Sequence, residues 1–331
     1  MGVARGILLR PISWIYGLVV SIVDLLHRIG ILKTKEAPIR TICIGNLTVG
    51  GTGKTPITEY LIDKLHAKGK KVVMLSRGYR RKTKGLQVAT PKSTALDIGD
   101  EPMQIHRRYP DVPIVVDGDR NRALEYIKQN MPDTDIVIMD DGMQHKSTKA
   151  TEYVMVCDYA RPIYEDLMLP AGNLREPWSA RKRAKTVIVN KCPLDISEEE
   201  MTEIERRLEL DETQKLYFTG IEYKELVGGT AAINKAVAIA GIGRPEPFFE
   251  EIRRRFGEDT ECIKYGDHHQ FSDEELREVE KRLDMLGEES VLICTEKDAQ
   301  RLSNKIGRHS VCYLRIGLRL LRGNSFDIVE I

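Results

Sequence analysis

The sequence predicts an α/β protein in which helices cover both faces of a mostly parallel sheet. Two observations support this class. From residue 39 onward short apolar runs alternate with amphipathic helical patterns, such as 56–67 and 119–130, and a glycine-rich turn joins the first run to the first helix. This alternation is typical of parallel strands joined by crossover helices. The predicted strands are 39–45, 71–76, 112–117, 135–140, 153–158 and 186–190.

Residues 5–32 precede the sheet and predict an N-terminal amphipathic helix. Polar residues recur in it at three- and four-residue steps, which places them on one narrow stripe. They are Arg10, Ser13, Gly17, Ser21, Asp24 and Arg28. Charges interrupt the roughly twenty apolar residues that a spanning helix needs, and there is no small-residue cleavage site of a signal peptide. Two interpretations stay open: a helix in the membrane interface, with Trp14 and Tyr16 at headgroup level, or a helix packed on the protein's own core.

Composition limits the classes of protein further. The chain has 331 residues, which is enough for two domains, and its net charge of +1 makes no global case for binding nucleic acid. Its six cysteines are scattered, without a C-x-x-C pair, as expected of buried free thiols in a reducing compartment. We therefore expect a cytoplasmic protein without disulfide bonds.

The glycine-rich turn at 48–55 predicts a phosphate-binding loop, and hence a P-loop NTPase-like sheet. Between a strand and a helix, such a turn gathers backbone N–H groups around phosphate oxygens. Lys54 would reach the β- and γ-phosphates and Thr55 would bind Mg²⁺. Thr48 stands where the pattern G-x-x-x-x-G-K-[ST] has glycine, so an ordinary glycine-rich turn is the alternative. The predicted nucleotide-binding residues are Thr48, Val49, Gly50, Gly51, Thr52, Gly53, Lys54 and Thr55.

Two further strand ends bear on the nucleotide. Asp140 and Asp141 follow an apolar strand, where phosphate-loop proteins hold Mg²⁺, and an acidic surface turn is the alternative. Asn190-Lys191 resembles the start of the guanine-reading N-K-x-D, but the aspartate position is Pro193. This departure weakens the case for GTP specificity and favours ATP or looser recognition of the base.

Several polar residues near turns are candidates for work on a second substrate. Arg77 and Arg120 close the second and third strands, where arginine forks suit a phosphorylated substrate or form a solvated basic surface. Asp100 is a candidate general base and His268 a group that could orient it. On chemistry alone neither stands out among the other acidic residues and histidines.

A second, smaller α/β unit is predicted after a junction at 215–235, which contains a turn at Gly229. Its strands are 236–243, 291–294 and 311–316, and its helices are 246–256 and 272–286, the latter with a capping box formed by Ser272 and Glu275. The predicted division is an N-terminal helix (1–35), a phosphate-loop domain (36–218) and a C-terminal domain (219–331) joined by a hinge at the junction.

Eight motifs occur together in order along the chain, and they are a specific set. They are GNLTVGGTGKTP (45–56), SRGY (76–79), GDEP (99–102), DDGMQH (140–145), LPAGNLREP (169–177), GIGRPEPFF (241–249), DHHQF (267–271) and TEKDA (295–299). In these motifs the chain resembles the tetraacyldisaccharide 4'-kinase, or lipid A 4'-kinase, family. That family's loop also lacks the first glycine. Met143 and Asn173 depart from its usual Phe and Pro without removing a charged group.

The resemblance implies a kinase that moves the γ-phosphate of ATP, with Mg²⁺, to the 4'-hydroxyl of tetraacyldisaccharide 1-phosphate, forming lipid IVA. It implies a catalytic pair of Asp100 with His268 or the adjacent His269, assisted by Lys54. The implied substrate-binding residues are Arg77, Arg120, Arg175, Glu176 and His145. The enzyme would meet the lipid A precursor at the cytoplasmic face of the bacterial inner membrane through its N-terminal helix, without an obligate protein partner.

Two other classes explain part of the sequence. A GTPase switch or metallochaperone accounts for the loop and for Asn190-Lys191, but not for Pro193 or the N-terminal helix. A membrane-bound ATP sensor without transferase activity would bind ATP yet phosphorylate no lipid. A nucleotide-preference assay and a lipid-phosphorylation assay distinguish these classes from the kinase.

Overall fold

The computed structural model describes residues 3–228, 233, 235–287, 289–302, 305–323 and 326–327. Its α-helices are α1 (Val3–Arg28), α2 (Lys54–Ala67), α3 (Ala95–Ile98), α4 (Asp100–Arg108), α5 (Arg120–Asn130), α6 (Glu198–Leu208), α7 (Glu246–Phe256) and α8 (Asp273–Leu286). Its strands are β1 (Lys35–Glu36), β2 (Thr41–Gly45), β3 (Val72–Ser76), β4 (Gln87–Val88), β5 (Ile114–Val116), β6 (Ile136–Asp140), β7 (Thr148–Lys149), β8 (Glu152–Asp158), β9 (Thr186–Asn190), β10 (Lys215–Val227), β11 (Ala236–Ala240), β12 (Glu261–Lys264), β13 (Val291–Thr295), β14 (Lys305–Ile306) and β15 (His309–Leu320). Short 3₁₀ helices cover Trp178–Arg183 and Asp298–Arg301.

The predicted parallel sheet is confirmed. All six strands predicted for the first part of the chain are present, and they pair in parallel in the order β9-β8-β2-β6-β3-β5. Their carboxyl ends therefore meet at one edge, where ligands of such sheets bind. The phosphate-binding loop follows β2, and the two consecutive aspartates begin at the last residue of β6.

A single sheet of 13 strands runs through the described part of both predicted domains. The long strand β10 joins them, because its first residues pair in parallel with β9 and the rest pair antiparallel with β15. Its register shifts between Tyr223 and Leu226. The predicted hinge falls on this strand and on the turn after it, and that turn, with Gly229, lies outside the described residues. The domain division and the hinge stay predictions.

Apolar side chains cover the sheet on both faces. Ile57, Leu61 and Leu65 of α2 are fully buried against Ile42 and Ile44 of β2, as the helical pattern predicted. Burial of each such side chain is worth about 1.5–3 kcal/mol. This packing holds the first turn of α2, and with it the glycine-rich loop, at a defined place above the sheet edge.

Two smaller predictions are also confirmed. The α8 capping box is present, with the Ser272 side chain accepting from the backbone N–H of Glu275 and the Glu275 carboxylate accepting in return. All six cysteines are free, and five of them are buried. Burial raises the pKa of the Cys43 and Cys157 thiols to about 12, so these are packing residues in the thiol form.

The N-terminal helix α1 leaves a broad apolar face uncovered. Trp14 is 73% exposed, Ile15 64% and Leu18 61%. Within the described residues this is the one helix long and apolar enough to cross a membrane, by length and composition alone. We expected the charged residues of this segment to make it too polar for a membrane-spanning helix, but the stretch from Leu8 to Arg28 is apolar enough.

Part of the predicted polar stripe of α1 faces the protein, through Ser13, Gly17 and Asp24, while Arg10, Ser21 and Arg28 are exposed. Ser13 Oγ accepts a hydrogen bond from the backbone N–H of Ala171 (2.9 Å), and Asp24 pairs with Lys146 (3.0 Å). Tyr16 contacts the protein as well. Its hydroxyl donates to the carbonyl oxygen of Arg175 (3.1 Å).

Candidate active site

The glycine-rich loop connects β2 to α2 in the conformation that phosphate binding needs. Gly50 and Gly53 have φ angles of 100° and 87°, in the left-handed region that favours glycine. A Cβ added at Gly53 would collide with the side-chain amide of Asn190. Inside the loop, Asn46 Nδ2 donates to Thr52 Oγ1 (3.2 Å). The loop is therefore held by side chains around it rather than by regular structure.

Asn190 and Lys191 hold the loop from the neighbouring strand end. Asn190 Nδ2 donates to the carbonyl of Thr52 (3.1 Å), and Lys191 Nζ donates to the carbonyl of Gly51. Lys191 also pairs with the buried Asp158 (3.0 Å). In this arrangement both residues bind the phosphate-binding loop itself, which gives the N-K dipeptide a role that does not require guanine.

A second cationic group beside this loop was missed at the sequence level. Arg161 pairs with Asp158 (3.4 Å), and its guanidinium lies so close to Gly50 that an added Cβ would be 3.0 Å from Nη1. Arg244, from the motif GIGRPEPFF, lies 3.9 Å from the same carboxylate. In the sequence, Arg161 was marked only by its position after a strand end, and Arg244 only by its place in that motif.

Lys54 at the start of α2 faces the acidic end of β6. Its Nζ is 3.4 Å from Asp141, and Arg175 pairs with the same carboxylate (3.1 Å). Burial alone would raise the pKa of Asp141, but Lys54 and Arg175 outweigh it and lower the pKa to about 2. Arg175 also donates to the carbonyl of Asn46 (3.3 Å). The structure thus brings together three of the predicted site residues.

Asp140 differs from its neighbour. It is the last residue of β6, and burial together with the negative charge of Glu101 raises its pKa to about 7, against the attraction of Lys54. With the hydroxyl of Thr55, Asp140 and Asp141 offer only hard oxygen donors. This donor set fits Mg²⁺, which takes one or two carboxylates and completes its shell with water and phosphate. A cage of three or more His, Cys, Asp or Glu side chains does not occur in the described ranges.

Asp100 and His268 are in contact, although 168 positions separate them in sequence. Asp100 is the first residue of α4, and its Oδ2 lies 3.2 Å from His268 Nδ1. His269 instead pairs with Glu275 (2.9 Å). The geometry therefore favours the first of the two adjacent histidines as the partner of Asp100, a choice that the sequence left open.

Two basic side chains of the C-terminal part complete this group. Arg301 Nη2 is 2.5 Å from Asp100 Oδ2, and Lys297 Nζ is 3.0 Å from His268 Nε2. Burial alone would raise the pKa of Asp100, but hydrogen bonds from His268 and Arg301 lower it to about 2. Sequence reasoning missed both residues. The motif TEKDA contains Lys297 and ends two residues before Arg301, so this motif could have pointed to both residues.

The remaining predicted substrate residues divide into two environments. Arg77 is exposed and lines a cavity of about 560 Å³, together with residues of the loops after β3 and β5. Arg120 is buried, and its Nη1 donates to the carbonyl of Asp117 (2.8 Å). Burial lowers the pKa of His145, and the positive charges of Arg120 and Arg77 lower it further.

Glu176 lies inside a polar network. It is 2% exposed and pairs with Arg183 (2.5 Å) and Lys146 (3.3 Å), and it accepts a hydrogen bond from Gln144 (3.0 Å). Gln144 belongs to the loop after Asp141 and also donates to the carbonyl of Asn46 (2.8 Å). In the structure Glu176 therefore supports the loops around the site.

A phosphate-binding loop, an acidic strand end beside it and a buried carboxylate–imidazole pair are the parts of a P-loop phosphotransferase. The fold and the site define this class. The chain belongs to the tetraacyldisaccharide-1-P 4'-kinase family, whose sequence model matches residues 5–329. The predicted family is confirmed.

Relatives with the same name cover most of the chain. A tetraacyldisaccharide 4'-kinase from Porphyromonas gingivalis is 43% identical, over 89% of this chain and 85% of that protein. One from Flavobacterium johnsoniae is 39% identical, over 99% of this chain and 96% of that protein. The fold is similar to a crystal structure of "apo" form LpxK from Aquifex aeolicus in complex with ATP, with a TM-score of 0.73 at 26% identity, covering 96% and 95% of the two chains.

Proposed function

We propose that this protein is an ATP-dependent kinase that phosphorylates the 4'-hydroxyl of tetraacyldisaccharide 1-phosphate, yielding lipid IVA at the cytoplasmic face of the inner membrane. The observation that carries the proposal is the meeting of two groups at one sheet edge. Lys54 lies 3.4 Å from Asp141 at the end of β6, and the loop after the neighbouring strand β3 contacts the turn that carries Asp100, since a Cβ added at Gly78 would lie 2.7 Å from the carbonyl oxygen of Ile98. The donor site and the candidate base therefore lie at the same edge of the sheet.

The donor end is formed by the loop residues 48–55. Their backbone N–H groups and the α2 N-terminus favour phosphate oxygens, and Lys54 would move from Asp141 to the β- and γ-phosphates. Thr55, Asp140 and Asp141 would hold Mg²⁺, which when bound offsets charge on the transferred phosphoryl group. Asp141 is ionised at neutral pH because Lys54 and Arg175 lower its pKa. Asp140 has a pKa of about 7, so a bound cation would favour its ionised form.

At the acceptor end, Asp100 orients the attacking hydroxyl and accepts its proton. Phosphoryl transfer passes through a loose transition state in which positioning and electrostatics dominate, so a weakly basic carboxylate is sufficient. His268 donates its Nδ1–H to the carboxylate and holds it in place.

The cavity lined by Arg77 suits the phosphate that the acceptor already carries. Five of its lining residues are cationic and two are acidic: Arg77, Arg80, Arg81, Lys84, Arg122, Asp117 and Asp119. It adjoins the turn that carries Asp100, because a Cβ added at Gly99 would lie 3.0 Å from the Tyr79 carbonyl oxygen. A disaccharide could therefore present its 4'-hydroxyl at Asp100 and its 1-phosphate in this cavity.

The exposed apolar face of α1 supports membrane association. A four-chain lipid does not dissolve in water, so the enzyme has to meet it at the bilayer. An amphipathic helix with part of its polar stripe on the protein and a broad apolar face outward is suited to that contact. The same helix contacts the loop that holds Arg175, which supports an active site close to the membrane.

Transfer of labelled γ-phosphate from ATP tests the proposal directly. The acceptor is tetraacyldisaccharide 1-phosphate in detergent micelles, and the expected result is one labelled lipid with the phosphate at the 4'-position. Asp100→Asn should lower turnover while ATP binding is unchanged, and Asp111→Asn, on the exposed surface, should behave like the wild type. An ATP-hydrolysing preparation that labels no lipid would contradict the proposal.

A further inference from the structure

Lys297 and Arg301 reach the Asp100–His268 pair from the turn that follows β13. This turn is tightly held: the fully buried Asp298 accepts hydrogen bonds from Thr295 Oγ1 (2.6 Å) and from the backbone N–H of Gly241 (3.0 Å). The backbone that carries Lys297 and Arg301 is therefore held in one conformation by hydrogen bonds. Lys297 contacts the imidazole at Nε2, whereas Arg301 lies on the other side of the ring, against the carboxylate and 3.2 Å from Nδ1.

We propose that Lys297 and Arg301 are positioning residues for phosphoryl transfer, Lys297 by setting the tautomer of His268 and Arg301 by fixing one carboxylate oxygen of Asp100. The proposal rests on the proposed kinase function for its kinetic consequences. Its structural part, the tautomer of His268, is independent of the reaction.

The chemistry of the donors sets the tautomer. A lysine ammonium has hydrogens to donate and no lone pair, so His268 Nε2, 3.0 Å from Lys297 Nζ, has to be the acceptor. The ring proton of a neutral imidazole then resides on Nδ1. From there it is donated to Asp100 Oδ2 over 3.2 Å. Arg301 Nη2 also lies 3.2 Å from Nδ1, but its contact with Oδ2 is much shorter (2.5 Å), so the guanidinium donates to the carboxylate and leaves Nδ1 as a donor. Lys297 thus directs the one N–H of His268 toward the carboxylate.

Arg301 holds Asp100 through Oδ2 and leaves its other carboxylate oxygen, Oδ1, free to contact a substrate hydroxyl. Its Nε (3.2 Å) and Nη2 (2.5 Å) both contact Oδ2, the same oxygen that faces His268. Across the described residues no side chain or backbone group hydrogen-bonds Oδ1. With Oδ2 held by two donors on a side chain that is 2% exposed, Oδ1 is presented to the acceptor hydroxyl at a fixed angle.

The backbone of His268 is held in the same way. Its φ of 59° is in the left-handed region, which is unfavourable for a residue other than glycine. Arg80 donates to the carbonyl of His268 (3.3 Å), and Arg301 donates to the carbonyl of His269 (3.1 Å). Arg301 therefore fixes both members of the pair, one through its carboxylate and the other through the turn that carries it.

Nitrogen NMR of ¹⁵N-histidine-labelled protein tests the tautomer. In the full-length wild type in detergent, the His268 signals, assigned by their loss in His268→Gln, should show a protonated Nδ1 and an unprotonated Nε2. Lys297→Met removes the donor to Nε2 and should move the Nε2 signal to that of an unprotonated nitrogen without a hydrogen bond, while Lys297→Arg should keep the wild-type pattern. Lys281→Met, on the exposed face of α8, is the matched control. A protonated Nε2 in the wild type, or an unchanged Nε2 signal in Lys297→Met, would overturn the tautomer proposal.

Steady-state kinetics test the positioning. Because displacement of a reacting group by about 1 Å can cost about 100-fold in rate, we expect Lys297→Met and Arg301→Lys to lower kcat about 10- to 100-fold, with KM for ATP within about twofold. Lys297→Arg should recover most of the rate. If kcat falls only in proportion to the folded fraction, or if KM for ATP rises while kcat stays constant, the proposal fails. A wild type without transferase activity would reject the kinase function and leave the NMR result standing.

Discussion

Tyr16 of the N-terminal helix donates a hydrogen bond to the carbonyl oxygen of Arg175, whose guanidinium pairs with Asp141. One residue thus links the helix with the exposed apolar face to the acidic end of β6. The helix is therefore in direct contact with the loop that borders the donor site.

The first prediction concerns this link. Tyr16→Phe removes one partly buried hydrogen bond and should lower the free energy of unfolding by about 1 kcal/mol, measured by urea denaturation in detergent. Tyr126→Phe is the control, because its hydroxyl makes no hydrogen bond within the described ranges. Equal stability of Tyr16→Phe and the wild type would show that the contact contributes nothing.

The second prediction concerns the outward face of α1. Ile15→Glu with Leu18→Glu should abolish co-sedimentation with anionic vesicles, because burying a charge in the acyl region is unfavourable. Ser21→Glu places the same charge on the predicted polar stripe and should retain binding. Vesicle binding by the double variant at the wild-type level would contradict membrane contact through this face.

The third prediction concerns the donor site. Lys54→Met should lower single-turnover transfer about 100- to 1000-fold, as expected when one preorganised cation at the developing charge is lost. It should also raise the pKa of Asp141, since Lys54 is the largest favourable influence on that carboxylate. Lys68→Met, on the exposed end of the same helix, should transfer at the wild-type rate. Normal turnover in Lys54→Met would remove this residue from the mechanism.

The fourth prediction concerns the basic cavity. Lys84→Met should lower kcat/KM about tenfold for the 1-phosphate acceptor, which is the usual effect of one charged hydrogen bond, and should not affect a 1-hydroxyl acceptor. Lys82 is exposed but does not line the cavity, so Lys82→Met is a closely matched control. Equal losses on both acceptors would exclude phosphate recognition at this place.

The fifth prediction is a pH dependence of stability. The pKa of Asp100 is about 2 in the folded protein, below the usual value of about 3.9. A lowered acid pKa stabilises the folded state above the unfolded-state pKa, and this contribution disappears as pH falls toward the folded-state pKa. The stability difference between wild type and Asp100→Asn should therefore shrink from pH 5 to pH 2 in urea titrations. A constant difference across that range would contradict the shift.

The sheet and the donor loop were predictable from sequence because the information is local. The run Ile136–Asp140 is continuous and apolar, and Gly53-Lys54-Thr55 starts an amphipathic helix whose buried face is visible in its spacing. Strand identity, the glycine positions of the loop and the acidic strand end all follow from neighbours within a few positions. The family resemblance added the roles of Asp100 and the histidine loop, again through short motifs.

Only the tertiary structure decided which side chains meet. Asp100 and Arg301 are 201 positions apart, and no local pattern connects them. Their contact depends on the packing of the 3₁₀ helix Asp298–Arg301 against α4, two elements that follow strands far apart in the sheet. The same reason explains why His268 rather than His269 faces the carboxylate: the backbone of the turn, with a left-handed residue, sets the direction of each ring. The sequence by itself determined the elements and the chemistry available at their ends, and the packing of distant elements determined the partners.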